Sequence, residues 1–93
     1  MSTYNFTDKK NTMVITTKRI MNNKSNILLV SHDDEDGMWQ FLDGEDVDEE
    51  DATIVSFGEI VGIDNTINQI ADLPLGWIAF RDSVYSQWNK QSN

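Results

Sequence analysis

A small α+β domain, with a mostly antiparallel sheet around a central hairpin at about 27–32 and 38–42 and one or two short helices, is what this sequence predicts. Three observations carry that expectation. Two short apolar runs flank a polar turn ending in Gly37, which is the pattern of a hairpin. Ser56 stands three residues before Glu59 at the head of an apolar stretch, the capping-box signature of a helix start. Finally, 93 residues of which 39% are hydrophobic can build one compact core and little more.

The elements follow in chain order. Residues 1–12 are mostly polar and read as a loose arm, 13–90 as one α+β domain, and 91–93 as a tail. Met13-Val-Ile-Thr-Thr17 is β-branched and short, a strand. Lys18-Arg-Ile-Met21 fits one helical turn before a polar Asn/Ser turn. The run 27–32 is the clearest strand, and Gly37 is free to adopt positive φ in the turn that follows. In both hairpin strands apolar residues fall on both faces, which predicts central strands covered on each side. Thr53-Ile-Val-Ser56 resumes an apolar run, and a short helix from about Phe57 to Gly62 follows from the capping box. Residues 65–72 suit a further turn or two of helix, with Ile67, Ile70 and Ala71 inward, ended by Leu73-Pro74. Residues 76–81 form a last strand, with Trp77 and Ala79 opposite Ile78 and Phe80. Tyr85 and Trp88 are spaced as neighbours on one helical face.

Charge is unevenly divided. Sixteen acidic against seven basic residues give a net −9. Residues 1–24 hold five cations and one acid, whereas 25–80 hold 14 acids and no lysine or arginine. Eleven carboxylates crowd residues 33–51. This balance excludes a nucleic-acid binder, whose footprint is a basic patch, and an anionic membrane surface. The absence of cysteine and of any secretory pattern or apolar span predicts a cytoplasmic protein without disulfides. Lys18, Arg19 and Arg81 are expected to lie against part of the acidic excess and offset it.

No pattern for catalysis stands out, and no enzyme is expected. There is no cysteine, His32 is the lone histidine, and neither Ser31 nor Ser56 sits in a nucleophile elbow. One register places His32, Asp34, Asp36, Gly37 and Asp43 on the positions of a calcium loop. Its first ligand is a histidine and its last an aspartate, and strands flank it, so no metal or other cofactor is expected. The tryptophans Trp39 and Trp77 read as core anchors, and Trp88, in a polar tail, as an exposed contact.

The runs Ser31-His-Asp33, Asp36-Gly-Met-Trp-Gln-Phe41, Asp43-Gly44, Val55-Ser56 and Leu73-Pro-Leu-Gly-Trp-Ile-Ala-Phe-Arg81 carry a resemblance. Over roughly residues 13–90 the chain resembles a small bacterial family, once a domain of unknown function and later grouped with the immunity proteins of polymorphic toxin systems (immunity protein 33). The resemblance implies a non-enzymatic protein that neutralises a cognate toxin by covering its basic site, and it brings no catalytic residues. The long acidic stretch 45–51 is particular to this chain. The expected partner-binding residues are His32, Asp33, Asp36, Trp39 and Asp43 around the hairpin. Glu45, Asp46, Asp48, Glu49, Glu50 and Asp51 form the steering surface, and Trp88 is a further contact. The expected partner is a protein with a basic surface. The rival readings are an acidic nucleic-acid mimic that inhibits a DNA- or RNA-binding protein, and a housekeeping domain.

Overall fold

The structure is a computed structural model that describes residues 4–92. Its order is β1 (Met13–Thr17), α1 (Lys18–Met21), β2 (Leu29–His32), β3 (Trp39–Leu42), β4 (Ala52–Ser56), α2 (Phe57–Ile63), a 3-10 helix (Asn65–Ile70), β5 (Trp77–Phe80) and β6 (Asn89–Ser92). The strands form one six-stranded sheet in the order β4-β1-β3-β2-β5-β6. All neighbours are antiparallel except β1 and β3. The expected α+β class and central hairpin are present: β2 and β3 pair from Leu29↔Leu42 to His32↔Trp39. Gly37 takes φ 74° in the connecting turn.

Local sequence explains the helices. The Thr17 side chain accepts from the Ile20 N–H and starts α1. Ser56 and Glu59 form the full capping box that starts α2. The Asp64 side chain then caps the 3-10 helix through Thr66 N–H. There are three short helical segments rather than one or two, because each cap starts a new turn that too few residues follow to extend.

Strand alternation puts Val14, Thr16, Val30, Trp39, Phe41 and Ala79 on one face, where they are buried. Ile20, Ile27, Phe57, Ile60, Val61, Ile67, Ile70 and Leu73 cover them and complete the core. The other face has no such cover: Ile15, Leu29, Leu42 and Ile78 are only half-buried and belong to no core cluster. Coverage of the hairpin on both sides is thus corrected. Three short helical segments among the described residues supply a layer for one face only.

Two boundaries also change. Residues 1–3 of the expected arm and residue 93 of the tail lie outside the described residues. The rest of the arm is not loose. Phe6 is buried, edge-on to Trp39 at 5.1 Å and 4.6 Å from Phe57, and Asn5 N–H donates to Asn68 Oδ1 at 2.8 Å. Burying that one aromatic ring stabilises by about 2–3 kcal/mol and, with the Asn5 hydrogen bond, helps hold the segment against the core. Tyr85 and Trp88 lie on no helix; the chain runs on into β6, which pairs with β5 from Phe80↔Asn89 to Trp77↔Ser92. Satisfying the open edge of β5 outweighs a single pair of aromatics at helical spacing.

Candidate partner-binding surface

Topology brings the acidic stretch onto a cation. Because β1 and β3 are parallel neighbours, they finish at the same end of the sheet. The connection from β3 to β4 must therefore pass over the end of β1, where α1 begins. Arg19, in α1, meets it there. Its Nε and Nη2 donate to the two Asp43 oxygens at 2.7 and 2.9 Å, and Nη1 donates to Asp51 at 2.9 Å. Nη2 also reaches the Asp46 carbonyl at 3.1 Å, and Lys18 N–H donates to the Asp51 carbonyl at 2.7 Å. One guanidinium thus ties down both ends of the 43–51 loop, a bidentate geometry that lysine lacks.

Asp43 is the inner anchor. It is buried and also accepts from the Ser25 hydroxyl and the Glu45 N–H. The Arg19 hydrogen bond, aided by those of Ser25 and Glu45, holds its carboxyl well below the usual carboxylate range against the opposing effect of burial. The same bond holds the Arg19 guanidinium in its charged form. Between the anchors, Glu45, Asp46, Asp48, Glu49 and Glu50 are exposed. Among the described residues none of these five side chains joins an ion pair.

The second acidic group, residues 33–36, lies at the opposite end of β3. Asp33 accepts from Gln40 Nε2 at 2.7 Å and from the Ser31 hydroxyl. Asp36 is exposed and accepts from Met38 N–H at 2.9 Å, closing the turn. His32 faces the core side, stacked on Trp39 with ring centroids 3.9 Å apart. Its Nδ1 lies 2.8 Å from the Leu73 carbonyl; a carbonyl only accepts, so this nitrogen carries a proton.

The expected site therefore divides. Asp36, Glu45, Asp46, Asp48, Glu49 and Glu50 are available to a partner, and Asp33 and His32 are partly so. Trp39, with 2% of its surface exposed, and Asp43 are not: one is a core anchor and the other the loop's buried clamp. Asp51 is half-buried against Arg19. Trp88 is not an exposed contact either. It packs on the core with the Arg81 guanidinium 4.2 Å above its ring. The calcium-loop register does not assemble, since β3 separates Asp36 from Asp43, whose carboxylate Arg19 and Ser25 occupy.

Of the three cations expected against the acidic excess of residues 25–80, Arg19 pairs with Asp43 and Asp51, and Arg81 pairs with Asp64 at 2.7 Å. Lys18 is exposed and joins no ion pair among the described residues. Ser25 and Gln40, which position Asp43 and Asp33, were not foreseen. For Gln40 a signal existed: a lone polar residue amid Trp39, Phe41 and Leu42 marks a side chain committed to a specific hydrogen bond. No family model matches the chain, and no match to it was found among curated proteins or solved structures.

Proposed function

We propose that this chain is a non-enzymatic, cytoplasmic binding protein that neutralises a protein partner bearing a basic surface, in the manner of an immunity protein covering a toxin. The observation that carries the reading is the clamped loop: five exposed carboxylates that join no ion pair among the described residues, held on a segment fixed at both ends by Arg19. Unpaired like charges in a short loop weaken the fold, and a cationic partner turns that cost into attraction. Fixing the loop beforehand lowers the ordering cost of binding. The resemblance to immunity protein 33 supports the same reading through its residues alone. Those residues are largely architectural: Gly76 N–H donates to the His32 carbonyl, His32 reaches Leu73, and Arg81 N–H donates to the Leu28 carbonyl. On this reading the shared segments build the scaffold, and the loop 45–51 sets the partner.

The test is co-expression with the product of the adjacent gene. That product alone is expected to slow growth, and this chain to restore it. Neutralising the five exposed carboxylates as Gln or Asn should lower the association rate by about tenfold or more at low salt and flatten its salt dependence. Growth inhibition left unchanged by this chain, with no complex at low salt, would overturn the reading.

A further inference from the structure

Every charged side chain has been kept off one face of the sheet. Positions 13, 15 and 17 of β1, 29 and 31 of β2, 40 and 42 of β3, 52, 54 and 56 of β4, 78 and 80 of β5, and 89 and 91 of β6 share that face by alternation and register. None is Asp, Glu, Lys or Arg, in a chain that is 25% charged. Ile54 is 62% exposed, Met13 50% and Phe80 37%. A sheet face turned to water ordinarily alternates toward polar and charged residues. An uncharged centre bordered by charge is instead the anatomy of an interface.

We infer that this open face is the docking surface, and that its occupant is a protein with an apolar centre and a cationic rim. The inference rests on the binding-protein reading above and adds the location to it. The charge pattern selects the occupant. The acidic turn 33–36 lies at one end of the face and the acidic loop at the other, and Asp33 is hydrogen-bonded to two residues of the face itself, Gln40 and Ser31. A second copy stacked on this face would set two −9 chains against each other. Size points the same way. Six strands span about 24 Å and four to five residues about 15 Å, roughly 350 Å² in projection. A stable interface covers about 800 Å² per partner, so a partner seated here must also cover the acidic ends.

The β4 edge of the sheet is not an equivalent site. The contacts Phe57 N–H to Thr12 and Lys18 N–H to Asp51 fix the ladder so that residues 52, 54 and 56 of β4 point outward. Ala52 N–H is taken by the Asp48 carbonyl and Ser56 N–H by Glu59. Among the described residues Ile54 keeps the one outward N–H of β4 without a partner, too little to seat an added strand.

The probe is a leucine–lysine peptide patterned as an amphipathic helix, compared with a scrambled peptide of the same composition. At low salt the patterned peptide should shift the amide resonances of Ile15, Gln40 and Ile78. Ile54→Lys should weaken it about tenfold and Ile78→Gln about threefold, whereas Gln69→Lys, the same added charge on the helical side, should change it less than twofold. Each variant is checked for an unchanged fold by circular dichroism. No binding, equal binding of the scrambled peptide, or shifts confined to residues 44–50 would overturn the inference. So would a dimer in sedimentation at high salt that Ile54→Lys abolishes, since the occupant would then be a second copy. Growth rescue does not enter these measurements, so failure of the toxin reading with the footprint intact is distinguishable from failure of the face.

Discussion

Arg81 ties the junction of α2 and the 3-10 helix to the sheet, and its replacement is the sharpest test of the packing argument. Its side chain is 1% exposed. Nε and Nη2 donate to the Ile27 carbonyl at 3.1 and 2.9 Å, Nη1 to Thr66 Oγ1 at 2.9 Å and Nη2 to Asp64 at 2.7 Å, while its plane covers Trp88. Arg81→Ala strands the largely buried Asp64 carboxylate and the Ile27 carbonyl and uncovers Trp88. Removing one partner of a buried pair costs about 3–5 kcal/mol. A domain of 93 residues has about 5–14 kcal/mol in all, so the variant retains little of the lower figure. With a urea slope near 1 kcal/mol/M for a domain of this size, the midpoint should fall by about 3 M or more. Arg81→Lys keeps the charge without the fork and should lose about 2 kcal/mol. The assay is urea unfolding followed by tryptophan fluorescence, with a double-mutant cycle of Arg81→Met and Asp64→Asn expected to show coupling above about 1 kcal/mol. A loss under about 1 kcal/mol for Arg81→Ala at unchanged slope, or a cycle with no coupling, would refute the reasoning.

Three other outcomes follow from the same geometry. Asp43 has its pKa lowered by folding, so its contribution is fully present above the ordinary carboxylate range and is lost as pH falls through and below that range. The urea midpoint of the wild type should therefore drop more steeply below about pH 4 than that of Asp43→Asn, and parallel curves would contradict the assignment. Because five loop carboxylates lack counter-charges, raising sodium chloride from about 10 to 200 mM should raise the midpoint at neutral pH, and a fall would show that ion pairs outweigh repulsion. Trp39 Nε1 is buried with no acceptor among the described residues. Trp39→Phe removes that unsatisfied donor, which offsets part of the lost packing, so calorimetry should find a cost under about 1.5 kcal/mol instead of the 3–5 of an aromatic-to-alanine change.

The strands β1, β2, β3 and β5, the capping box and the inward isoleucines were legible in the sequence because each rests on a local rule: alternation, a cap three residues from its partner, a proline stop. The acidic concentration was legible too, since charge is a property of composition. The tertiary structure decided what those rules leave open. Phe6 leaves a polar arm for the core, and residues 89–92 become a strand because β5 needs a partner. Half of the candidate site changed status for the same reason. Asp43 and Asp48 look alike in sequence, but the parallel pairing of β1 with β3 carries Arg19 to one and leaves the other in water. Which face of the sheet stays open depends on how many helical turns remain to cover it, a sum over the whole chain. The sequence by itself determined the elements and the excess charge; only long-range pairing decided which charges are spent and which surface is left to meet a partner.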